Sequence, residues 1–174
     1  MNWKHLLISF VTLSCIVILQ VSVVPLLAIN RVFPDLMYLA AVSSSLAKNG
    51  VWGAQVGFIA GFLSDVISGR YIGIRGVCYA LGAYLAGIMT AKVYRFHFLS
   101  VIATTFLTYI LVETVYLSLT AMFGFTVHPG AVLFSVIIPA AAYNGILQPV
   151  VYALHRRLRA EGDFMEFDEG QETV

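Results

Sequence analysis

The chain has 174 residues, 60% of them hydrophobic and only 11% charged, with a formal net charge of +1. Ordinary soluble domains carry roughly 25% charged residues, so this composition excludes that class, and its long apolar runs point to an integral membrane protein. No basic stripe with interleaved aromatics gives nucleic-acid binding a footprint. Cys15 and Cys78 fall in apolar runs and offer neither a disulfide framework nor a zinc spacing.

A bilayer-spanning helix needs about 20 mostly apolar residues. Six segments are expected, taken here in chain order. The first runs from His5 to Ile29, after Lys4. It is longer than the roughly 7–15 residues of a signal-peptide core and lacks a small-x-small cleavage site, so a retained transmembrane helix is expected. The second, Asp35 to Ala47, is short, which leaves a re-entrant or strongly buried helix open. Pro34-Asp35 reads as its start, because proline fits the first helical turn and an acid opposes the positive helix end favourably. Lys48-Asn49-Gly50 then breaks the chain.

The third segment, Val51 to Ile67, carries Gly53, Gly57, Gly61 and Asp65 at four-residue intervals, with Gly69 continuing the series. Residues four apart lie nearly above one another on a helix, so glycines and acid share one track. Glycines cost helix stability in water, but in lipid they let two backbones approach closely. The track either packs inside the fold or docks a partner's helix. An acid at that depth needs a partner or a purpose. Asp65 is expected to pair with Arg70 or Arg75, or to accept hydrogen bonds from a neighbouring helix start.

The fourth segment runs from Ile74 to Ala91 and the fifth from Phe98 to Phe123, with Glu113 deep inside it between Tyr109 and Tyr116. A mid-membrane acid marks a functional site by default, although a protonated Glu113 bonded to Tyr or Ser of another helix satisfies the same physics. The sixth, Gly130 to Leu154, holds Asn144, Gly145, Gln148 and Pro149. Pro149 removes the hydrogen bond to residue 145 and is expected to kink the helix, and the two amides, one turn apart, suit bonding across helices. Residues 1–159 form one membrane domain on this reading. Residues 160–174, with Glu161, Asp163, Glu166, Asp168, Glu169 and Glu172, form an acidic tail too polar and short for a core. Solvated disorder is expected there, with a docking peptide for a basic partner as the alternative.

With both termini cytoplasmic, the inside carries Lys4, Lys48, Lys92, Arg95, Arg156, Arg157 and Arg159, and the outside Arg31, Arg70 and Arg75. The positive-inside rule favours that orientation. Motifs for enzymes are missing: no Gly-x-Ser-x-Gly, His-Glu-x-x-His or P-loop occurs. His5, His97, His128 and His155 sit at membrane edges with no nucleophile at a spacing that argues a pair.

With these residues laid out, the chain resembles the MreD family of bacterial rod-shape-determining membrane proteins. The carriers are Pro34-Asp35-Leu36, Gly57-Phe58-x-x-Gly61-Phe62-x-x-Asp65, Gly73-x-x-Gly76 followed by Tyr79 and Tyr84, and Tyr143-Asn144 to Pro149-x-x-Tyr152 followed by Arg156-Arg157. The resemblance covers all but the acidic tail. It implies an all-α, six-transmembrane-helix bundle of the inner membrane, similar in fold to the S-components of energy-coupling-factor transporters. It implies MreC as direct partner, MreB and the elongation-specific peptidoglycan synthases through the complex, and no enzymatic activity or cofactor. The residues expected to serve structure or partner binding are Pro34, Asp35, Gly53, Gly57, Gly61, Asp65, Arg75, Glu113, Asn144 and Pro149. The runner-up is a vitamin-binding S-component, with Asp35, Asp65 and Arg75 near an external pocket. A lipid-processing enzyme lacks a nucleophile–base pair.

Overall fold

The computed structural model describes residues 16–22, 24–28, 32–69, 71–92, 98–124 and 129–169, without the side chains of 25, 27, 91, 92, 129 and 158–169. The first half of the first expected span, Arg31, Arg70, Arg95, three of the four histidines (His5, His97, His128) and residues 170–174 lie outside them. The described residues are helical and contain no β-strand. Helix α1 covers residues 16–22 and is followed by a 3₁₀ turn, Val24–Leu27. Then come α2 (Leu36–Ala47), α3 (Gly50–Ser68), α4 (Ile74–Lys92) and α5 (Phe98–Met122). A short α6 (Pro129–Val132) leads through a π segment, Leu133–Ile137, into α7 (Ile138–Glu169).

Three helices are long and apolar enough to cross a bilayer: α3, α5 and the continuous run Gly130–Arg157. The segments Leu36–Ala47 and Ile74–Thr90 are shorter apolar helices. Length and composition therefore pick out three spans among the described residues, where the sequence suggests six. The reason is clearest in α2. From Met37 to Ser45 every residue of it is buried. A helix enclosed by other helices has no lipid contact to match, so it can be shorter than the hydrocarbon layer. Its serines fit the same surroundings: Ser44 Oγ donates to the Ala40 carbonyl at 2.9 Å and Ser45 Oγ to the Ala83 carbonyl of α4 at 2.6 Å.

The glycine track of α3 lies against its own fold. A methyl group on Gly57 would sit 2.7 Å from the Tyr79 carbonyl oxygen, and one on Gly61 2.5 Å from that of Arg75. Both contacts are with the α4 backbone, and α3 with α4 is the most extensive helix pair in the molecule. Gly53 faces the Ser45 side chain of α2 instead, and Gly50 approaches Gly87 of α4. Of the two uses open to the track, internal packing is the one found. Asn49 caps α3 by accepting from Trp52 N at 2.8 Å, and Gly69 closes it at a left-handed φ of 64°, a conformation glycine adopts without steric cost.

Pro149 lies inside α7, which continues as helix on both sides of it. The backbone of α7 runs helically to Glu169, into the acidic stretch expected as a separate tail. The π segment was not signalled by apolar spacing. Pro139 follows it closely, and a proline without an N–H disturbs the hydrogen-bond ladder of the preceding turn.

Candidate functional site

The start of α2 is a buried polar node. Asp35 is its N-cap, with one carboxylate oxygen accepting from Tyr38 N at 3.0 Å. Its second oxygen accepts from the Tyr79 hydroxyl of α4. The Asp35 backbone N–H donates to Asn144 Oδ1 of α7 at 2.8 Å, and Leu36 N–H to Gln20 Oε1 of α1 at 2.8 Å. Gln20 Nε2 also reaches the Pro34 carbonyl at 3.4 Å. A helix begins with unsatisfied N–H groups, and inside a membrane no water answers them. Asn144 of α7 and Gln20 of α1 answer two of them here, and the Asp35 side chain answers a third. One turn further along α7, Gln148 Nε2 donates to Ser43 Oγ at 2.9 Å and lies 3.4 Å from the Leu39 carbonyl.

Around this node stands a wall of tyrosines. The Tyr38 ring meets Tyr79 and Tyr109 edge-on, with centroids 5.2 and 5.3 Å away. The Arg75 guanidinium lies 4.4 Å from the Tyr116 ring centroid and 5.9 Å from that of Tyr79, a cation–π arrangement. Glu113 makes no hydrogen bond among the described residues, so the expected bond to a Tyr or Ser of another helix is not found. It lies within electrostatic reach of Arg75 and Asp35.

Asp65 forms a second polar lock at the end of α3. Its Oδ2 accepts from Gly73 N at 2.8 Å and Arg75 N at 2.9 Å. The carboxylate therefore caps the start of α4, the second of the two roles open to it. It meets Arg75 through the backbone amide, while the guanidinium turns toward Tyr116. Arg70 lies outside the described residues. Asp65→Ala removes both bonds from a buried position and is expected to cost about 1–3 kcal/mol. Hydrogen exchange should show the loss, with residues 69–77 exchanging faster than in the unaltered protein while α2 keeps its protection.

The structure thus gathers Pro34, Asp35 and Asn144 at one node with Arg75 and Glu113 beside it. It places Gly53, Gly57, Gly61 and Asp65 along the inner face of α3, and sets Pro149 apart on α7. Spacing did not bring out Gln20 or Tyr38; a lone glutamine in an apolar run was the available signal for Gln20. Among the described residues no group of His, Cys, Asp or Glu is arranged to hold a metal. Chemically the carboxylates at 35 and 65 act as helix caps, with both oxygens of Asp35 and Oδ2 of Asp65 engaged by the fold.

The family model for rod shape-determining protein MreD matches residues 3–158. No curated protein and no solved structure matches the chain, so the expected likeness to S-components and the transporter reading gain no support.

Proposed function

This chain belongs to the MreD family of rod shape-determining proteins, and from that premise we propose that it is a non-enzymatic scaffold of the elongation machinery in the bacterial inner membrane. It binds MreC directly and helps link MreB filaments to the peptidoglycan synthases. The observation that carries this reading is the family match over residues 3–158. The geometry supports it, because buried Asp35, Ser45, Asn144 and Gln148 each bond a neighbouring helix. A scaffold requires such rigidity: its outer faces must hold fixed positions for partner helices to dock. Both termini are cytoplasmic on this reading, since seven of the ten Lys and Arg residues then lie inside. Asp65 and Asp35 serve assembly by holding the bundle in shape.

Deletion in the source cell tests the reading. Rod-shaped growth is expected to give way to round cells, the unaltered chain to restore rods, and the Asp65→Ala chain to restore them only in part. Rods that persist without the protein would contradict it.

A further inference from the structure

A cavity of about 210 Å³ lies where α2 ends and α3 begins, with α4, α5 and α7 closing it. Its polar lining comes from Lys48, Asn49, Tyr84, Thr90 and Tyr152, and no acid belongs to it. Asp35, Asp65 and Glu113 lie toward the other ends of α2, α3 and α5, and on α7 acids return only at Glu161, more than two turns beyond Tyr152. The Lys48 ammonium sits 3.9 Å over the Trp52 ring and pairs with no carboxylate among the described residues. Asn49 Oδ1 is taken by Trp52 N. Its Nδ2 and the hydroxyls of Tyr84 and Tyr152 make no hydrogen bond among the described residues. Gly50 and Val51 line the same space, and a helix leaves its first N–H groups without an intrahelical partner.

A lining of unengaged donors around one cation, with no carboxylate, selects an anion. Phosphate oxygens accept hydrogen bonds and carry the charge that Lys48 and the positive start of α3 favour. An ammonium group would find no acid to pair with. Size narrows the choice further. Pockets for drug-sized ligands measure roughly 300–1,000 Å³, so this space suits a headgroup and leaves no room for a whole lipid. Val51, Trp52, Tyr84 and Ile88 are exposed apolar residues at and beside the cavity, a surface along which acyl chains can lie outside it. Basic pockets between transmembrane helices on the cytoplasmic side hold anionic headgroups for these reasons. On the orientation proposed above this end faces the cytoplasm, so the choice of leaflet rests on that reading, whereas the binding itself does not.

We propose that this cavity binds the phosphate headgroup of an anionic phospholipid, held by Lys48 and the first turn of α3. Full-length protein, purified in detergent and stripped of lipid, tests it by native mass spectrometry. Dioleoyl phosphatidylglycerol is expected to bind several-fold more tightly than dioleoyl phosphatidylethanolamine, whose added ammonium meets Lys48. Lys48→Gln should weaken phosphatidylglycerol binding about five-fold, the worth of one basic residue at an anionic membrane surface. Arg157→Gln makes the same change of charge at an exposed residue outside the lining and should leave binding nearly unchanged. Glycerol phosphate, the same ester without chains, should not displace the lipid. Equal affinity for the two lipids would overturn the proposal, as would equal losses from both substitutions, the mark of diffuse surface charge. Displacement by glycerol phosphate would overturn the lipid source and assign the cavity to a free phosphate ester. Neither MreC nor the direction of insertion enters the measurement, so its failure leaves the scaffold reading standing.

Discussion

Asp35→Ala is expected to lower the stability of the purified protein by about 2–4 kcal/mol, the sum of a lost N-cap and a buried hydroxyl left without an acceptor. The wild-type carboxylate bonds Tyr38 N within α2 and the Tyr79 hydroxyl of α4. Alanine leaves both donors facing a space that is buried on every side. A carboxylate removed from the surface of a soluble domain would be replaced by water, but this site has no such reserve. Asp35→Asn keeps one acceptor for Tyr38 N and one polar group for Tyr79, so most of the stability should remain. Thermal unfolding in detergent reads the difference: for a protein of this size the alanine variant should melt on the order of 10 °C lower. An alanine variant that melts with the wild type would show that the node does not hold α2 in place.

Gly61→Leu has a larger expected effect, loss of the folded bundle. Any Cβ at 61 meets the Arg75 carbonyl oxygen at 2.5 Å, its carbon at 2.6 Å and Gly76 Cα at 2.7 Å. These are backbone atoms and cannot rotate aside, so α3 and α4 must separate. Overpacking ordinarily costs about 1–3 kcal/mol where side chains can adjust; here the helix axes themselves have to move. Separation also draws Asp65, one turn further along α3, away from Gly73 N and Arg75 N. Size-exclusion chromatography in detergent should show aggregated Gly61→Leu protein and little of the wild-type peak. Ile59→Leu, on the exposed side of the same helix, should elute normally. A monodisperse Gly61→Leu protein would contradict the close approach of α3 and α4.

Much of this arrangement is legible in the sequence because it follows from local spacing. Glycines four apart announce a close helix contact, and Asp65 in line with them announces a group that must be answered. Pro34-Asp35 announces a helix start, and α2 does begin there. Asn144 and Gln148, amides in an apolar run, announce bonds across helices, and both reach α2. What spacing does not supply is which helix is central. In a membrane bundle the lipid-facing and inward surfaces are both apolar, so periodicity separates them poorly. The short length of α2 was the one hint of its enclosure. Nor does local pattern pair Asp35 with Tyr79 and Asn144, which lie 44 and 109 residues away. The internal use of the glycine track has the same origin: it depends on α4 returning beside α3, with Gly57 against Tyr79 and Gly61 against Arg75.

The claim that this chain scaffolds the elongation machinery is tested most directly by co-purification. The tagged full-length protein, extracted from its native membrane in mild detergent, would be analysed by mass spectrometry for every protein it retains. The account predicts recovery of MreC, a single-span protein with a periplasmic coiled coil, together with cell-wall synthases, and weaker recovery with Asp65→Ala. Retention of transporter ATPase subunits or a tightly bound vitamin, with no MreC, would contradict it.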